Sequence, residues 1–166
     1  MSRSVRRRII RERVMQALYA LEIAKDSPEH VIKHVLAGLE ENKDAHAFAK
    51  RLVLSTVERK TDIDKVIRTK VANWEFSRIA LVDRLILRMS ICELLYFKDI
   101  PPKVSMNEAI ELAKLFSTEK SGQFVNGILD AVLEDETLKR DMAKAGRGLS
   151  EGAGPRANKN KAAKVP

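Results

Sequence analysis

Cysteine occurs once in this chain of 166 residues, at Cys92. That excludes an intramolecular disulfide framework and any zinc site built from cysteines. Glycine is scarce, with seven in all, and nowhere does it form a phosphate-cradling loop or a G-x-S-x-G elbow. No apolar run approaches the ~18 residues of a membrane helix. Ile9-Ile10 is followed at once by Arg11-Glu12, so a signal-peptide apolar region is missing too. Aromatic residues amount to only 5%, which leaves the basic N-terminus without the Trp and Phe that an interfacial membrane helix favours. The expectation is a soluble protein of a reducing compartment, the cytoplasm, with no membrane partner.

What is present in excess is positive charge. Lys and Arg number 31 against 23 Asp and Glu, a net charge of +8. Residues 1–13 carry Arg3, Arg6, Arg7, Arg8, Arg11 and Arg13 against Glu12, a net +5. Residues 146–166 carry a further +4, which leaves the body near neutral at −1. Two cationic ends on a neutral body point to a polyanionic partner. Arginine alone at the N-terminal end sharpens this, because its planar fork pairs with phosphate oxygens and stacks on bases. The C-terminal stretch, rich in Gly, Ala, Asn and Lys, cannot bury enough surface to offset its ordering entropy. It is expected to be a disordered basic tail.

Apolar residues recur at helical spacing along almost the whole body, and strand-like alternation is absent. Ile10, Val14, Ala17, Leu18 and Leu21 form the face of a first helix. Arg3, Arg6 and Arg7 fall on that same azimuth, where charges cannot pack into a core. The arm 1–8 is therefore expected to project beyond the body or to stay unstructured until it binds. Ser27-Pro28 opens a second helix that ends near Glu41. A third runs from about Asp44 to Arg59, and a fourth starts at Thr61-Asp62. The fifth, about Arg78–Phe97, is apolar nearly all round, as an enclosed central helix should be. A sixth is expected to begin at Ser105, with Glu108 completing a capping box. A seventh follows Ser121-Gly122. The fold class is all-α, about seven helices, with residues 1–145 as one domain and 146–166 as the tail.

Catalytic chemistry is not in evidence, and the chain is read as a non-enzyme. His30 and His34 stand at i, i+4, a spacing able to hold one metal, but no third ligand is at hand. No metal or cofactor is expected. Carboxylates at Asp62 with Asp64 and at Glu108 with Glu111 are read as solvated or capping groups. Cys92, in the most apolar helix, is read as inert packing. Trp74 and Phe76 are read as core in preference to a base-stacking platform. Gly127 is read as permitting a close helix crossing, and Asn126 as a helix-to-loop hydrogen bond or an exposed contact.

Four segments in order carry a resemblance. They are Arg7-Arg8-Ile9-Ile10-Arg11-Glu12 followed by Gln16-Ala17-Leu18-Tyr19, Asp83-Arg84-Leu85-Ile86-Leu87-Arg88, Met106-Asn107-Glu108-Ala109-Ile110-Glu111-Leu112-Ala113-Lys114, and Phe124-Val125-Asn126-Gly127-Ile128-Leu129-Asp130. With these the chain resembles the NusB family of bacterial transcription antitermination factors. Cys92 and Met106 depart from the family's usual tyrosine and isoleucine as packing changes. The resemblance implies two packed three-helix bundles. It also implies binding of the boxA element of nascent ribosomal RNA together with NusE, a small-subunit ribosomal protein. That pair would help assemble an antitermination complex on RNA polymerase with NusA and NusG. The family's Arg-rich N-terminus carries over onto Arg7, Arg8 and Arg11, and Arg6 extends the cluster, so these four are the expected RNA contacts. With about five arginines on phosphates of a single strand, log K against log salt would have a slope of about −3 to −4. The alternative is a stand-alone RNA-binding ribosome-assembly module, related to the N-terminal domain of ribosomal RNA cytosine methyltransferases. The chain is too short for that enzyme's α/β domain.

Overall fold

A computed structural model describes residues 3–71, 75–135 and 138–139. Among them are seven α-helices: α1 Arg3–Ala24, α2 Pro28–Val35, α3 Lys43–Glu58, α4 Lys60–Lys70, α5 Leu81–Tyr96, α6 Pro102–Phe116 and α7 Glu119–Glu134. Short 3-10 turns at Ala37–Leu39 and Phe76–Arg78 follow α2 and precede α5. The expected roles of Trp74 and of the tail at 146–166 lie outside the described residues.

The ends of the helices follow from local chemistry. Ser27 accepts the N–H of His30 (3.3 Å) with Pro28 in the first turn of α2, as the Ser-Pro pair predicts. Asn42 caps α3 through Ala45 N–H (3.0 Å) and Thr118 caps α7 through Ser121 N–H (3.1 Å). Lys25, at φ 51, turns the chain into the left-handed region just after α1, which stops the helix there. Several boundaries differ from expectation: α2 ends at Val35, not near Glu41, because a 3-10 turn follows, and α7 begins at Glu119 under the Thr118 cap, with Ser121 and Gly122 inside it. The chain after Phe97 enters α6 at Pro102, not at Ser105. Proline suits the first turn of a helix, where its missing N–H costs nothing. Ser105 and Glu108 therefore form no capping box and lie buried inside α6. The expected start of α5 at Arg78 is a 3-10 turn instead, and α5 proper begins at Leu81.

Helix α5 is the axis of the molecule. Leu85, Ile86, Leu87, Met89, Ile91, Cys92, Leu94 and Leu95 are all buried, which matches its all-round apolar pattern. Burial pushes the Cys92 thiol up to about 11, so it stays protonated and unreactive near neutrality. Helices α1, α2 and α3 pack on one another on one side. Helices α6 and α7 pack together against α5 on another, and α4 bridges α5 and α7. Val14, Ala17 and Leu18 of α1, Leu52 and Val53 of α3 and Ile63 and Ile67 of α4 meet in one continuous core with Leu112 and Leu129. The two helical groups of the family resemblance are thus joined along α5.

The acids read as solvated are partly structural. Asp64 is buried and accepts two hydrogen bonds from Arg88 (2.7 and 3.0 Å). Burial would raise Glu22, but a hydrogen bond from Lys60 (3.1 Å) and the charges of Lys60, Arg88 and Arg84 outweigh it and hold its carboxyl below the usual value. Its contribution to stability is therefore present above the ordinary carboxylate range and lost as pH falls through the lowered value.

Gly127 also departs from expectation. It is exposed, and a Cβ placed there meets nothing within 4 Å, so it permits no close crossing. Gly122 is the tight position, where a Cβ would lie 2.9 Å from Lys114 Cγ. Gly127→Ala should therefore raise stability by up to about 1 kcal/mol through helix propensity alone. Gly122→Ala should gain less, because Lys114 must move. Denaturant midpoints of the two variants check this ordering, and a larger gain at Gly122 would contradict it.

Candidate nucleic-acid interface

The N-terminal arginines were expected on an arm, yet they lie on the first turns of a continuous helix. The second turn of α1 is tied down by two contacts. Arg11 Nη1 donates to the carbonyl of Arg7, one turn earlier, at 3.2 Å. Arg8 Nε lies 3.4 Å from Glu108 Oε2 of α6. These links explain why charged residues on an apolar azimuth stay helical: the helix runs past the edge of the core while its base is anchored.

The four predicted contacts separate into different environments. Arg6 is exposed. Arg7 is half-buried at the rim of a cleft. Arg8 keeps its side chain 37% exposed while it faces the buried carboxylate of Glu108. Arg11 turns inward and is only 2% exposed. Its Nε donates to Glu93 Oε2 at 3.0 Å, its Nη2 pairs with Glu93 Oε1, and its guanidinium carbon lies 5.3 Å from the centre of the Phe48 ring. Every nitrogen of Arg11 is engaged, so the side chain has no free edge for a phosphate. The structure thus corrects the assignment of Arg11 as an RNA contact: its side chain ties α1 to α5 through Glu93 and braces the Arg7 backbone. The signal for this in the sequence is Glu93, a carboxylate in the last turn of the most apolar helix, which must find a cation when buried.

The cleft beside Arg6 and Arg7 is where three elements converge: α1, the start of α3 and the α5–α6 connection. It encloses about 380 Å³ and is lined by Ile10, Asn42, Asp44, Phe48, Asp99 and Pro101, among others. Sequence reading missed these residues because they come from three distant segments whose meeting depends on the fold. Other features of the sequence take no part. Phe76 lies half-buried against the core with Arg68 over its ring at 4.4 Å, consistent with the core reading. His30 and His34 are exposed with ring centres 4.4 Å apart, and His30 Nε2 stands 3.5 Å from Asp26. Among the described residues no group of three or more His, Cys, Asp or Glu side chains could hold a metal ion. Asn126 is half-exposed on α7 and makes no side-chain hydrogen bond among the described residues. No described helix is long and apolar enough to cross a membrane.

Comparison with known proteins gives this geometry a context. The sequence profile described as the NusB family matches residues 8–134. The transcription antitermination protein NusB of Chloroherpeton thalassium is 43% identical over 146 residues, covering 87% of this chain and 69% of that protein. The solved NusB of T. maritima superposes with a TM-score of 0.73 at 37% identity, covering 82% of this chain and 96% of that one. A chain in a crystal structure of the antitermination factors NusB and NusE in complex with double-stranded RNA superposes with a TM-score of 0.70 at 31% identity, covering 80% and 97%.

The arginines make separable predictions. Arg11→Ala leaves Glu93 buried without its cation and should cost about 3–5 kcal/mol. Arg11→Met with Glu93→Leu should recover most of that loss. Arg6→Ala with Arg7→Ala should stay within about 0.5 kcal/mol of the parent per site. Thermal or urea unfolding of the three proteins decides it. An Arg11→Ala variant as stable as the parent would return Arg11 to the surface.

Proposed function

The chain belongs to the NusB family of transcription antitermination proteins, and we propose that its part is to bind the boxA element of nascent ribosomal RNA together with NusE. The pair then helps assemble an antitermination complex on RNA polymerase with NusA and NusG, in the cytoplasm. The observation that carries the RNA contact is the helical N-terminus of α1. It carries Arg6 exposed, Arg7 half-buried at the cleft and Arg8 part-exposed beside Glu108, on a base fixed by Arg11. The NusB–NusE–RNA complex of a relative supports both an RNA and a NusE partner.

The physical reading is of phosphate pairing on a prepared surface. Arg6 and Arg7 border the cleft with guanidinium groups in reach of solvent. Arg8 offers the part of its fork that Glu108 leaves open. Single-stranded RNA bound this way is held by salt-dependent contacts to phosphates and by stacking of guanidinium planes on splayed bases. With three arginines on phosphates, log K against log salt has a slope of about −2, shallower than all the N-terminal arginines together would give. NusE binding would add protein contacts and sequence preference that charge alone does not supply.

Titration of the purified protein with a boxA RNA and a scrambled control, with and without NusE and at several salt concentrations, tests this. The expected result is a preference for boxA that tightens when NusE is present, with the shallow slope above. Arg6→Ala, Arg7→Ala and Arg8→Ala together should abolish most of the salt-dependent binding while helicity is kept. Equal binding of both RNAs, indifferent to NusE, would overturn the antitermination reading in favour of a ribosome-assembly module.

A further inference from the structure

The cleft beside the cationic end of α1 holds two carboxylates, Asp44 and Asp99, at its rim. This is an odd lining for a surface that binds a polyanion, because each acid repels the phosphates that Arg6 and Arg7 attract. Both acids are exposed. Asp99 lies 3.8 Å from Arg51 Nη1 and shares its charge with that cation. Asp44 has no such pair among the described residues. It stands in the first turn of α3, two residues after the capping Asn42. Asn42 uses its side-chain oxygen on Ala45 N–H, which leaves its amide N–H groups to point elsewhere. Ile10, Phe48, Ile100, Pro101 and Val104 supply apolar walls between these polar groups.

An ionised carboxylate in a nucleic-acid cleft is favourable only if the ligand brings hydrogen-bond donors to it. The bases differ sharply in this respect. Uracil offers one ring N–H between two carbonyl acceptors. Cytosine and adenine each offer one amino group beside an acceptor nitrogen. Guanine alone places two adjacent donors, N1–H and N2–H, on one edge, matched to the two oxygens of a carboxylate. Unstacked bases of single-stranded RNA expose that edge. The volume of about 380 Å³ lies within the range of ligand-holding pockets.

We propose that this cleft is a guanine-reading pocket, in which the Asp44 carboxylate accepts N1–H and N2–H of one guanine of a bound single strand while Arg6 and Arg7 hold the flanking phosphates. The inference rests on the RNA-binding reading above and adds base specificity to it. Apolar walls cover the faces of the base, and Asp99, held by Arg51, sets the outer edge of the pocket.

Fluorescence anisotropy with the full chain at low salt tests the assignment, using 12-residue oligouridine RNAs that carry one central guanine, inosine or adenine. Inosine keeps N1–H and lacks the 2-amino group. The expected order is guanine tightest, inosine intermediate and adenine weakest, with guanine at least about fivefold tighter than adenine. Asp44→Asn should erase that preference by weakening the guanine oligomer, while the adenine oligomer tightens slightly as one repelling charge is lost. Asp99→Asn should retain the preference, which controls for a general change in charge. Circular dichroism on each variant confirms that α3 is intact. Two outcomes overturn the pocket while RNA binding stands: equal affinities for the three oligomers, or an Asp44→Asn protein that binds all three equally more tightly, as an acid that merely repels phosphate would give. Failure to bind any of the RNAs would instead overturn the RNA-binding reading, and the pocket with it.

Discussion

The buried pair of Arg11 and Glu93 is the constraint on which the arrangement turns. Glu93 is 1% exposed in the last turn of α5, and a carboxylate charge buried there is tolerated only with a cation beside it. The cation comes from the one helix whose far end carries the arginine cluster. Bringing Arg11 inward fixes the rotation of α1, which in turn decides that Arg6 and Arg7 face the cleft and Arg8 faces Glu108. The other charges of α5 behave in the same way. Asp83, Arg88 and Glu93 are spaced five residues apart, so each lies about 140° round the helix from the one before. They meet Ser121 of α7, Asp64 of α4 and Arg11 of α1 respectively. A helix enclosed by apolar neighbours has few ways to specify which neighbour sits where. Three polar groups pointing in three directions, each hydrogen-bonded to a different partner helix, do specify it.

Much of this was legible in the sequence. Seven helices, their apolar faces and the Ser27-Pro28 start follow from local spacing and capping chemistry, which need no knowledge of the fold. The inward turn of Arg11 was not legible, because helical azimuth places it only at the flank of the apolar face. Its burial depends on a carboxylate 82 positions away. Asp64 and Glu108 were misread for the same reason: an acid near the end of a helix satisfies the dipole in any context, and only the packed structure shows that each faces an arginine. The error at Ser105 is different in kind. Two incompatible local signals competed there, and the proline at the first turn prevailed over the serine capping box.

A helical N-terminus changes what the arginines do. An arm that orders only on binding loses roughly 1–2 kcal/mol per residue in backbone freedom at that moment. On α1 much of that ordering has already occurred on folding, held by the Arg11 bond to the Arg7 carbonyl and by the contact of Arg8 with Glu108. The backbone that carries Arg6 and Arg7 is then set before any ligand arrives, which would favour a polyanion whose groups match that spacing over polyanions in general.

Charge count and charge use therefore diverge in this protein. Of the arginines in the N-terminal cluster, Arg11 spends its positive charge on Glu93 and Arg8 shares its own with Glu108, so the cationic surface is smaller than the composition suggests. Fewer free cations mean weaker attraction to any polyanion and a shallower salt dependence. A weaker non-specific term leaves more of the binding free energy to contacts that distinguish one RNA from another. The acids at the cleft fit that same logic: they lower affinity for every phosphate and restore it only for a ligand whose donors meet them.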